Sequence, residues 1–158
     1  MEWPVRSFLR ASLSWLALGV SVGVAMAVRP AWTIYRPAHE HMNLLGFVTM
    51  MIFGVAYHVI PRFSGRPLRY PRLAVWHFWV ANVGLALMVL GLIARVHVRS
   101  VTAGTASLAI GGTLSALGAY AFALNLWRTI PGAKPLPARH DLRRRNAPNG
   151  VANVIGNQ

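Results

Sequence analysis

Long apolar blocks alternate with short charged gaps along this chain. Ala11 to Val28 runs 18 residues without Asp, Glu, Lys or Arg, His41 to Ile60 runs 20, Leu73 to Ala94 runs 22, and Val101 to Trp127 runs 27. None shows the polar stripe that a helix of a water-soluble bundle turns to solvent. A helix rises about 1.5 Å per residue, so about 20 residues cross a hydrocarbon core of about 30 Å. The pattern predicts an all-α, polytopic membrane four-helix bundle within residues 1–130. From Pro131 onward the sequence is rich in Pro, Asn and Gly and has no apolar period, which predicts a flexible basic tail over 131–158. The first block exceeds the usual h-region of a secretory signal, so a retained span is expected, although Ala25-Met26-Ala27 resembles a small-residue cleavage site.

Charge fixes the expected orientation. Lys and Arg number 16 against 3 Asp and Glu, a formal charge of +13. Twelve of the 16 basic residues fall before the first block, between the second and third, or after the fourth. The remaining four are Arg29, Arg36, Arg95 and Arg99. The positive-inside rule then places both termini in the cytoplasm of a bacterial inner membrane. The same distribution explains a pI near 11.9. This charge meets anionic membrane lipids, and no nucleic-acid partner is expected.

Composition narrows the chemistry. With 55% hydrophobic and 12% charged residues the chain is too apolar to be disordered. The absence of cysteine excludes disulfides, thiolate metal sites and covalent c-type haem attachment. There is no Ser-His-Asp set, no carboxylate pair and no phosphate loop. Glu40, beside the second block, is expected to pair with Arg36 or to relay protons. Gly19/Gly23, Gly84/Gly91 and Gly111/Ser115 have the spacing of close helix contacts, either within the bundle or at a dimer face.

The histidines carry the remaining signal, because imidazole is costly in lipid without a partner or a function. His39, His41 and His97 fall at the outer ends of blocks, and His58 and His77 at the inner ends. His39 and His58 are about 28 Å apart along a helix, so an outer cluster and an inner pair are separate candidate sites. Imidazole inside a bundle suits haem iron, and also copper or zinc. At about 100° per residue, Asn43, Gly46, Met50, Gly54 and Tyr57 lie within about 60° of His39. His41 lies about 200° away, on an aliphatic face. The polar, Gly-rich face favours His39 as the inward ligand.

Two runs resemble a known family. Arg36-Pro37-Ala38-His39-Glu40-His41-Met42-Asn43-Leu44-Leu45-Gly46, continued by Phe53-Gly54-Val55-Ala56-Tyr57-His58-Val59-Ile60-Pro61, resembles the second helix of haem-copper oxidase subunit I. The closest branch is that of cbb-type oxidases and nitric oxide reductases. His77-Phe78-Trp79-Val80-Ala81-Asn82-Val83-Gly84 resembles the next helix. The resemblance covers residues 35 to 95 or so and suits a short four-helix relative. It implies one b-type haem (haem b) near the outer face, with an axial ligand at His39 or, by the H-x-N spelling with Asn43, at His41. The family's second haem ligand and its dinuclear-site ligands lie on helices absent from this sequence. Reduction of oxygen or nitric oxide by this chain alone is therefore not expected. The second axial position would come from His97, a partner subunit or a second copy, or would stay open to O2, CO or NO. The resemblance thus implies respiratory or denitrification electron transfer, or gas binding. The alternatives are a cofactor-free accessory or assembly subunit of an oxidase or reductase, and a copper carrier using His39 and His41.

Overall fold

A computed structural model describes residues 3–97 and 101–130. The predicted tail over 131–158, with His140, lies outside the described residues. Among the described residues, four helices are long and apolar enough to cross a membrane. We label them α1 (Trp3–Val28), α2 (Pro30–Phe63), α3 (Pro71–His97) and α4 (Val101–Thr129).

Prolines stand where helices begin. Pro30 and Pro71 open α2 and α3, where a missing N–H removes no intrahelical bond. After α2, Gly65 takes φ +60°, the left-handed conformation that turns a chain off a helix end. The helix α2 changes pitch along its length. Pro30–Tyr35 is a 3-10 helix, Arg36–His41 is α-helical, Met42–Thr49 is π-helical, and Met50–Phe63 is α-helical again. In the wide segment the Thr49 hydroxyl donates to the carbonyl of Leu44, five residues back, at 2.8 Å.

The helices are longer than the charge-free blocks. Arg6 and Arg10 lie inside α1 and remain exposed, as long basic side chains do when their heads reach water. His39 and His41 lie well within α2 rather than opening it, and His97 is the last residue of α3 rather than part of the following loop.

Two helix pairs make up the bundle. Helices α3 and α4 meet backbone to backbone through small residues. A methyl on Gly84 would sit 2.8 Å from the Ser115 nitrogen, and one on Gly91 would sit 2.7 Å from the Gly104 carbonyl oxygen. The expected intramolecular use of these glycines is therefore the observed one. On the other side, α1 lies along α2, with Gly46 beneath Trp15 and Gly54 beneath Phe8 and Leu9. Phe8, fully buried, joins the pairs through Phe53, Phe78 and His77. Large apolar side chains such as Leu18, Val24, Leu44, Ile52 and Leu90 are more than half exposed. That inverts a water-soluble bundle and suits a lipid surround.

Both ends of the bundle are defined by contacts. Trp3 packs on Phe78 and Trp79 near the start of α3. The Arg69 N–H donates to the Thr129 hydroxyl at the end of α4, at 3.1 Å. The start of α1, the α2–α3 loop and the end of α4 thus share one end, the arginine-rich one. Tyr35 and His97 meet at the opposite end.

Candidate functional site

His39 is held by another helix. Its Nδ1 lies 2.8 Å from the carbonyl oxygen of Gly19 on α1. A carbonyl has no proton to give, so Nδ1 donates and the lone pair stands on Nε2. The ring rests against Gly23, where a methyl would fall 2.8 Å from Cε1. Asn43, one turn along α2, donates through Nδ2 to the carbonyl of His39 at 2.9 Å. Its amide also fills the space above Gly19, where a methyl would fall 2.6 Å from Nδ2. The Gly19/Gly23 pair is thus the seat of His39 and Asn43. The wheel pointed to His39 and Asn43 sharing a face. It gave no hint of the Gly19 carbonyl, because a backbone acceptor leaves no trace in side-chain pattern.

The rest of that face is a packing face. Gly46 and Gly54 take Trp15, Leu9 and Phe8 from α1, and Leu85 closes on Gly46 from α3. Met50 and Tyr57 are buried at 2% and 4% exposure. Trp15 also donates its Nε1 proton to Asn82 Oδ1 at 3.2 Å, which engages the Asn of the second family-like run.

The other histidines have separate partners. His41 donates from Nδ1 to its own helix, to the Pro37 carbonyl at 2.7 Å. His97 stacks on Tyr35, ring centroids 5.6 Å apart, and its Nε2 meets the Tyr35 hydroxyl. Among the described residues no three His, Asp or Glu side chains gather to hold a metal ion. The outer cluster of His39, His41 and His97 is therefore not assembled as one metal centre. Glu40 pairs with Arg36 at 2.9 Å, one turn away.

At the arginine-rich end His58 and His77 part company. The Arg62 guanidinium donates to the His58 ring. His77 is wholly buried among Phe8, Phe53 and Phe122, and its Nδ1 lies 3.0 Å from the Tyr57 hydroxyl. Its Nε2 faces Gly118 and has no hydrogen-bond partner among the described residues. Tyr57 stands 18 positions beyond His39 in the sequence, about 27 Å along a helix. It serves His77, not the His39 site.

Comparison with known proteins identifies the lineage. The family model for cytochrome c and quinol oxidase polypeptide I matches residues 2–106. The chain belongs to this family. It is 29% identical to the cbb3-type cytochrome c oxidase subunit CcoN1 of Stutzerimonas stutzeri, over 84% of this chain and 34% of that protein. It is 28% identical to cytochrome c oxidase subunit 1 of Rhodobacter capsulatus, over 80% of this chain and 28% of that protein. The subunit 1 homologue of Agrobacterium tumefaciens is 39% identical over a shorter stretch, 35% of this chain and 10% of its own length. The chain thus spans about a third of the length of the first two relatives. Four apolar spans and bacterial oxidase relatives make this polypeptide I family member a multi-pass protein of the bacterial inner membrane.

Proposed function

We propose that this polypeptide I family member binds one haem b through His39, near the outer face of the membrane, as a component of respiratory or denitrification electron transfer or of gas binding. The observation that carries the proposal is the Nδ1–H bond from His39 to the Gly19 carbonyl. Histidines that ligate iron commonly donate their other ring proton to an acceptor of this kind, which orients the ring and raises its basicity. His41 has the same tautomer, but its bond is to its own helix turn. Of these two, only His39 is clasped between two helices, so His39 is the ligand we assign.

The residues fit one axial bond and not an enclosed slot. The glycines of the His39 face are filled by α1 side chains. The apolar hollow of about 230 Å³ at this end is lined by Val22, Trp32, Tyr35, Ala38, Met42 and Ile93, and His39 does not line it. His39 would hold a haem through one axial bond, and a second polypeptide, either another copy or an oxidase subunit, would have to supply the rest of its cover. Haem supplies one-electron redox chemistry or a site for a diatomic gas, according to whether its sixth position is filled. This chain's part is to orient His39 from Gly19 and Asn43, and to set both termini on the cytoplasmic side.

The filled glycines also favour a second possibility, a cofactor-free subunit whose outer face docks on an oxidase or reductase. Absorption spectra of the detergent-purified protein, oxidised and dithionite-reduced with and without CO, separate the two. A b-type spectrum is expected, with His39→Ala losing most of the Soret band while His41→Ala keeps it. Full retention in both variants would falsify the site. No Soret band, with haem supply confirmed, would leave the cofactor-free subunit.

A further inference from the structure

Two of the most deeply buried polar side chains lie far from His39. Asn125 is fully buried on α4, and it accepts from the Tyr70 N–H at 3.0 Å and donates to the Tyr70 carbonyl at 2.9 Å. One turn on, buried Thr129 takes the Arg69 N–H. These three bonds clamp the end of the α2–α3 loop to α4. Holding a loop against a helix in this way costs two buried polar groups, and what it achieves is placement. It sets Arg69 and Arg72 across from Arg128.

Between them lies a groove of about 830 Å³, open at the surface. Its lining includes three arginines, Arg69, Arg72 and Arg128, here termed its rim, and three apolar side chains, Leu73, Trp76 and Leu124, here termed its floor. Among the described residues the one ion pair is Arg36–Glu40, on other turns of the fold, so no carboxylate in the described protein neutralises this rim. The floor continues onto the lipid-facing surface, where Trp76 is 45% and Leu124 50% exposed. Tryptophan at such a level marks a membrane interface.

We propose that this groove is a binding site for the phosphodiester headgroup of an anionic phospholipid. Guanidinium groups match phosphate oxygens in geometry and charge, and basic pockets between membrane helices at the cytoplasmic end suit such headgroups. The shared chemistry is phosphate. The floor decides for a lipid, because a free phosphate ion uses the rim and leaves Leu73, Trp76 and Leu124 without a partner, whereas acyl chains cover them.

Trp76 provides the readout. The full chain is placed in phosphatidylcholine vesicles that carry brominated phosphatidylglycerol or, in parallel, brominated phosphatidylcholine. The Trp76 signal is the difference between wild type and Trp76→Phe. Quenching by the anionic lipid is expected to exceed quenching by the neutral one. In R69Q/R72Q/R128Q that preference is lost, while R6Q/R10Q, altered at the same end but outside the groove, keeps it. Equal quenching by the two lipids overturns the site. So does equal loss in R6Q/R10Q, which means a diffuse surface charge. Loss of the preference on adding inorganic phosphate at constant ionic strength assigns the groove to a free anion and overturns the lipid. If the triple variant does not insert, Arg72→Gln alone is read against the same criteria.

Discussion

Tyr57 and His77 pose a sharp energetic question at the scale of single residues. The hydroxyl and the imidazole are both buried, and each nitrogen of His77 has at most one partner available: Tyr57 for Nδ1 and none for Nε2. Tyr57→Phe leaves the ring with no hydrogen bond. Interhelical bonds in membranes average about 0.6 kcal/mol and reach about 1.7 kcal/mol. The upper part of that range is expected here, because His77 is enclosed by phenylalanines and has nowhere to turn. Replacing both residues by Phe removes the orphaned group together with its partner, so the double variant should be less destabilised than Tyr57→Phe alone. Thermal unfolding followed by circular dichroism in detergent checks both the sign and the order. An additive or worse double variant means that the pair is not isolated. The sequence placed His77 at the inner end of its block, but it suggested His58 as its partner and put Tyr57 on the face of His39. Pattern alone could not see that Arg62, one turn from His58, claims that ring. For His39 the face that the spacing of about 100° per residue marked as inward is the one that packs on Gly19 and Gly23 of α1. That spacing did not reveal that helix α1, rather than a cofactor, fills Gly46 and Gly54, since a small residue spaced for a close approach does not say what approaches.

At the scale of helices, neighbouring glycines carry opposite expectations. A methyl on Gly111 would fall 2.5 Å from the Gly84 carbonyl oxygen and 2.6 Å from the Met88 nitrogen, both backbone atoms that cannot step aside. At Gly112 nothing lies within 4 Å. Gly111→Ala should therefore separate α3 from α4 and destabilise by about 1–3 kcal/mol, as overpacking does. Gly112→Ala should be neutral or stabilising by up to about 1 kcal/mol, because alanine is the better helix former. Unfolding midpoints of the two variants in the same detergent test this, and a matching loss in both would mean that Gly112 also faces a neighbour. The four helices themselves were legible from the length of the charge-free blocks. Their ends were not, because arginines within α1 stay exposed and prolines opening α2 do not interrupt it. The π-helical stretch over Met42–Thr49 also escaped a wheel drawn at constant pitch.

For the whole molecule, the prediction with the greatest consequence is which end faces the cytoplasm. The contacts put the start of α1, the α2–α3 loop and the end of α4 together, and His39 lies toward the other end of α2. The arginine count assigns the first of these ends to the cytoplasm. The absence of native cysteine makes a direct test clean. Ser64→Cys lies in the turn after α2 at the arginine-rich end, and Thr33→Cys is exposed at the opposite end. In intact spheroplasts a membrane-impermeant maleimide should label Thr33→Cys and leave Ser64→Cys untouched until the membrane is broken. The reverse pattern would turn the molecule over. His39 would then stand on the cytoplasmic side, and the arginine groove beside Trp76 would face outward, where the anionic surface potential of the cytoplasmic leaflet does not reach it. Sidedness therefore links the two ends: the face on which His39 stands and the leaflet that the arginine groove meets are set by one orientation, and this pair of labels reads it.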